Sequence, residues 1–105
     1  MKKAIYAILL VTALAVPAAA SEGPSLERGK ALFEDGKLGT SGKSCATCHQ
    51  GGRKLEWAAT YEEEKLAGII NNCVKQALKG KPLDPDSDDM KSMVMYIKTF
   101  AGPGR

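Results

Sequence analysis

The run Cys45-Ala46-Thr47-Cys48-His49 constrains this chain more than any other feature. Cys-x-x-Cys-His places two thiols three positions apart with an imidazole directly after them. That spacing lets both sulfurs add to the two vinyl groups on one edge of a porphyrin while the histidine turns beneath the metal, so the motif is the attachment signature of a c-type haem. Cys45 and Cys48 are the expected thioether positions, and His49 is the expected proximal iron ligand. Other uses of the same residues are weaker. Cys45, Cys48, His49 and Cys73 make a formal zinc set, but wrapping the adjacent Cys48 and His49 around one tetrahedral ion is awkward. A thioredoxin-like pair needs a strand-helix-strand context that the sequence lacks, and a simple Cys45–Cys48 disulfide explains neither the histidine nor the third cysteine.

The remainder of the chain agrees with a cofactor-dependent fold. Met1-Lys2-Lys3, the apolar run Ala4 to Val16 and the small residues Ala18-Ala19-Ala20 read as a secretory leader over 1–20, cleaved before Ser21. The apolar run is too short for a membrane span, which disfavours a retained anchor. Cleavage leaves one domain, 21–105, and without Lys2 and Lys3 the charge balance falls to 13 basic against 12 acidic residues. A nearly neutral chain has no basic patch to recommend nucleic-acid binding. A domain this small, with 6% aromatic residues, buries little core and needs a disulfide, a metal or a large prosthetic group. Three cysteines are an odd number for an exported chain, so at least one sulfur serves another purpose.

Helical periodicity accounts for the domain, and no segment alternates as a strand does. Ser25 to Asp35 reads as a short helix, stopped near Gly36, in which Gly29 either admits another helix or is merely tolerated. Gly36 to Ser44 is a loop, and Gln50 to Ala59 is irregular. Thr60 and Glu63 form a capping-box signature for a helix with apolar positions Leu66, Ile69, Ile70, Cys73, Val74, Ala77 and Leu78, ended by Gly80 and Pro82. Ser87 caps a last helix, lined by Met90, Met93, Val94, Ile97 and Phe100, that ends at Gly102-Pro103. The expected class is all-α.

With Gly29 and Phe33 on the first helix, the haem motif after it and Tyr96 on the last, the chain resembles a monohaem class I cytochrome c. The resemblance implies a small helical domain wrapped around one covalent haem c, with the first and last helices crossing. A narrower similarity covers Ile69 to Phe100. Ile70-Asn71-Asn72-Cys73, Gly80-Lys81, Ser87, Met90 and Tyr96 resemble the pattern of the SoxA and thiosulfate dehydrogenase cytochromes. These relatives usually carry two haem domains, and this chain has one haem motif.

The usual distal methionine is missing, because no methionine lies between His49 and Ser87. In the resembled thiosulfate dehydrogenases a cysteine at this place ligates haem, so the resemblance implies Cys73 as the distal ligand. The alternatives are a merely buried or intermolecularly bridged Cys73, a methionine such as Met90 or Met93, Lys81, or an open iron position. Arg53, Lys54 and Trp57 are candidates for contacts with the propionates or the haem edge.

The expected function is a soluble, monomeric periplasmic electron carrier between redox partner proteins, not an enzyme, with no membrane insertion after cleavage. The rivals are a haem subunit or enzyme of thiosulfate oxidation with cysteine-ligated haem, and a haem sensor with an exchangeable ligand.

Overall fold

A computed structural model describes residues 23–101, so the leader expected over 1–20 and the expected stop at Gly102-Pro103 lie outside the described residues. Among the described residues four helices follow one another: α1 (Leu26–Phe33), α2 (Cys45–Cys48), α3 (Glu63–Gln76) and α4 (Asp88–Lys98), with 3₁₀ turns at Gln50–Gly52 and Ala58–Thr60. Among the described residues there is no strand, only an isolated antiparallel bridge between Gly39 and Gly80. The fold is all-α, as the periodicity predicts.

The frame is the crossing of α1 with α4. Ser25 caps α1 by accepting a hydrogen bond from the Arg28 N–H at 3.0 Å, and Ser87 caps α4 by accepting from Met90 N–H at 3.1 Å. Gly29 is buried in the crossing, where a Cβ would collide with the Ser92 carbonyl and lie 2.7 Å from the Tyr96 Cβ. Glycine here is a packing requirement, which decides between the two readings of that position. Ser92 is fully buried, and its hydroxyl is satisfied by accepting from the Ser25 N–H at 3.0 Å. Arg28 Nε donates to Asp89 Oδ1 at 2.8 Å on the flank of the same crossing. Phe33, Tyr96 and Phe100 then stack edge-on or tilted, with ring centroids 5.1–5.7 Å apart.

Two helix ends depart from the sequence reading. Thr60 does not cap α3: it closes the 3₁₀ turn, its hydroxyl donating to the Trp57 carbonyl at 2.7 Å. Glu62 takes the cap position in extended backbone with no side-chain cap bond. The apolar residues Ala58 and Ala59 draw the preceding chain into its own turn, and that local geometry overrides the Thr-x-x-Glu signature. At the other end Lys79, not Gly80, adopts the left-handed conformation, with φ 59°. Gly80 is needed for a different reason. A Cβ there would strike the Leu38 carbonyl, and one on Gly39 would strike the Leu78 carbonyl. The paired glycines let the loop before the haem motif lie against the end of α3, where Thr40 and Ser41 N–H donate to the Lys79 and Leu78 carbonyls at 3.1 and 3.0 Å.

The loop after α3 is held by Asn71. Its side-chain amide donates to the Leu83 carbonyl at 2.8 Å and accepts from the Leu83 N–H at 2.7 Å. Lys98 Nζ donates to the Tyr61 carbonyl at 2.6 Å and ties the start of α3 to α4. These clamps surround a core of Phe33, Leu66, Ile70, Val74, Leu78, Met90, Met93, Val94 and Ile97. Among the described residues no helix is long and apolar enough to cross a membrane.

Candidate functional site

The haem motif folds as a single helical turn, α2, which the sequence reading did not anticipate. Its start is fixed by the Ser44 N–H donating to Thr47 Oγ1 at 2.9 Å. Cys45 and Cys48 stand three residues apart on this turn and therefore share a face. Cys45 is buried, whereas Cys48 is exposed.

His49 follows α2, and its orientation is fixed by the backbone. Gly51 and Gly52 take φ values of 65° and 82°, which only glycine adopts without strain, and they curl the chain back on itself. The curl brings the Arg53 carbonyl to 2.8 Å from His49 Nδ1. A carbonyl can only accept, so Nδ1 carries the proton and donates. The Nε2 lone pair is left for a metal. Gly52 also lies flat against Phe100, where a Cβ would enter the aromatic ring. The end of α4 thus backs the histidine loop.

Cys45, His49 and Cys73 come together around a small cavity of about 60 Å³, otherwise lined by Phe33, Leu55, Ala58, Leu66, Ile69, Ile70 and Ile97. Cys73 reaches it from α3, one turn beyond Ile69 and Ile70. A larger groove lies between α3 and α4, lined by Ala67, Gly68, Asn71, Met90, Val94 and Met95 among others. It holds no cysteine or histidine, so the smaller cavity is the chemical site.

Cys45 and Cys73 line the same cavity. Hydrogen bonding with the Cys45 thiol lowers the Cys73 pKa to about 6, with a further lowering by His49 and burial opposing both. Cys45 is driven strongly upward by the same hydrogen bond and by its own burial.

The other residues singled out from sequence lie elsewhere. Met90 and Met93 are buried in the core, Met90 beside the α3–α4 groove, and neither lines the cavity. Lys81 and Lys54 are exposed outside it. Trp57 is 78% exposed and not part of the lining, where Leu55 and Ala58 stand instead. The Arg53 side chain is exposed as well, and the residue serves His49 through its carbonyl. No residue-type signal announces a carbonyl contact. The Gly51-Gly52 pair is the trace it leaves in the sequence, and the periodicity of Leu55 and Ala58 is too short to mark them as lining.

This donor set fits a covalent haem. An apolar cavity suits a porphyrin face, a thiol-bearing turn borders it, and an imidazole with Nδ1 already bonded has Nε2 left that would hold a metal. Among the described residues no three His, Cys, Asp or Glu side chains converge as a metal-ion cluster. That weighs against zinc. It agrees with haem, whose iron takes its protein ligands singly.

Comparison with known proteins gives the same answer. Residues 28–102 match the family described as SoxA/TsdA, cytochrome c domain. Among curated proteins, a thiosulfate dehydrogenase of Psychrobacter arcticus is 33% identical over an alignment covering 51% of this chain and 21% of that protein. The chain therefore corresponds to about a fifth of that relative's length. Solved structures give no significant match. The chain belongs to the SoxA/TsdA cytochrome c domain family, and it is a haem c domain with an electron-transfer role.

Proposed function

We propose that the protein is an exported, periplasmic one-electron carrier holding a single haem c between His49 and Cys73 and passing electrons between partner proteins. The observation that carries this reading is the placement of His49 and Cys73 on one apolar cavity with Cys45. Haem c, when bound, supplies a one-electron ferric–ferrous couple. Cys45 and Cys48 tether it through thioethers. His49 presents Nε2 because Arg53 occupies Nδ1. Cys73 offers a sulfur that, as an iron-bound thiolate, would push electron density onto the metal and lower its potential. Phe33, Leu66, Ile70 and Ile97 keep water from the apolar side.

The test is the optical and electron paramagnetic resonance spectrum of the purified ferric protein. Wild type should carry thiolate-ligand features and Cys73→Ala should lose them, while identical spectra for both would contradict the ligation.

A second reading is a subunit or enzyme of thiosulfate oxidation. It is favoured by the thiosulfate dehydrogenase relative, although that protein contains far more chain than is present here. Rapid haem reduction by thiosulfate, with turnover to an artificial acceptor, would support this reading, whereas the carrier predicts none.

A further inference from the structure

Among the described residues two non-glycine positions have left-handed backbone, Lys54 and Lys79. Lys79 closes the end of α3, where such a conformation is ordinary. Lys54 ends no α-helix and stands directly after the carbonyl that holds His49. Its side chain is exposed and does not line the cavity, so it reaches the imidazole only through its backbone.

Residues 52–55 form a tight turn, closed by the Leu55 N–H donating to the Gly52 carbonyl at 2.9 Å. Arg53 has φ −54° and ψ 130°, and Lys54 has φ 71°. These angles make a type II turn, whose third position calls for glycine or asparagine. The commoner type I turn closes with the same hydrogen bond but carries its central peptide the other way up. Here that peptide joins Arg53 to Lys54. The type II form aims its carbonyl at His49 Nδ1. The type I form would bring the Lys54 N–H to that side, a donor facing a donor.

We propose that Lys54 is a positioning residue for the iron ligand. Its left-handed backbone keeps the Arg53 carbonyl on His49, and the choice of residue at 54 thereby sets the reduction potential of the haem. The inference rests on the reading of His49 as the proximal ligand. A hydrogen bond from Nδ1 makes an imidazole more basic, and a more basic ligand favours ferric over ferrous iron. Lysine takes positive φ far less readily than glycine, so the carbonyl contact works against the turn's own preference. Glycine at 54 should hold the contact more tightly, and a β-branched residue should release it.

The test compares Lys54→Gly, Lys54→Gln and Lys54→Val in the haem-loaded protein. All three remove the same charge, so differences among them report the backbone. In a redox titration followed by haem absorbance, Lys54→Val should shift the balance toward ferrous by about three- to tenfold relative to Lys54→Gly. Tenfold is a rise of about 59 mV, and Lys54→Gln should fall between the two. The chain has a single histidine, so nitrogen-15 histidine labelling reports His49 alone. Its Nδ1 proton should exchange with deuterated water about fivefold more slowly in Lys54→Gly than in Lys54→Gln, and fastest in Lys54→Val. If the valine variant fails to mature, the glycine and glutamine variants decide the matter. Equal potentials or equal exchange rates in those two would overturn the proposal. A wild-type ferric His49 signal without the large shift that paramagnetic iron imposes on its ligand would overturn the ligation itself, and the proposal with it.

Discussion

His49 donates from Nδ1 to the carbonyl of Arg53 at 2.8 Å, and the two residues are joined by a glycine pair that no other residue type could replace without strain. The tautomer of this proposed haem ligand is thus set by backbone geometry, and Phe100 packs against Gly52 in the same loop. The relationship couples the haem loop to the α1–α4 frame and predicts unequal effects from two neighbouring substitutions.

Gly52→Ala forces φ 82° on an L residue and drives a methyl into the Phe100 ring. It should destabilise the holoprotein by about 2–4 kcal/mol, from left-handed backbone strain and overpacking together. Arg53→Ala keeps the carbonyl and should stay within about 0.5 kcal/mol of wild type. Denaturant titration followed by haem absorbance separates the two outcomes.

Two helical glycines should respond with opposite signs. Gly29→Ala places a methyl on the Ser92 carbonyl, so α1 and α4 must move apart. A loss of about 1–3 kcal/mol from overpacking should outweigh the gain of about 1 kcal/mol in helix propensity. Gly68→Ala, in the interior of α3 with nothing within 4 Å of the new methyl, should gain up to about 1 kcal/mol. Thermal melts of both variants, compared with wild type, check the pair.

Asn71 anchors the loop after α3 with both faces of its amide. Asn71→Ala leaves the Leu83 N–H and C=O without their partners and should cost about 1–3 kcal/mol. Amide hydrogen exchange at Leu83 should accelerate in the variant, with α1 and α4 keeping their protection.

In haem-free chain that circular dichroism shows to be folded, Cys73 should react with iodoacetamide at a rate that rises with pH around a midpoint near 6, because the thiolate is the nucleophile and hydrogen bonding with the Cys45 thiol stabilises it. The sign follows from the lowered pKa: the reactive form accumulates above the midpoint and is lost below it. Cys45→Ala removes the hydrogen bond and should move the midpoint upward toward the ordinary value of 9.0.

Much of this is legible in the amino-acid order because local rules and tertiary packing agree. Ser25 and Ser87 cap the helices their positions announce, and Met90, Met93, Val94 and Ile97, the expected apolar side of α4, are buried. Cys73 reaches the cavity beside Ile69 and Ile70, as their spacing implies, but it is half-buried, and Ile69 and Ala77 of the expected inward stripe are exposed because the flank of α3 faces solvent there. Where the reading failed, a contact distant in sequence had taken over. Thr60 carries the right residue for a cap but closes a turn instead, and Gly80 is required by Leu38, some forty positions away. Arg53 has a guanidinium suited to propionates, yet its structural part is played by a carbonyl that every residue possesses. Periodicity reports which face is buried and says nothing of which backbone atom will meet it.

The intact mass of the purified protein, after denaturation and removal of unbound haem, is the most direct test of covalent haem attachment. Wild type should carry the added mass of one haem, mapped by proteolysis to the peptide containing Cys45 and Cys48. A colourless polypeptide without that increment, recovered from cells with a working maturation system, would contradict it.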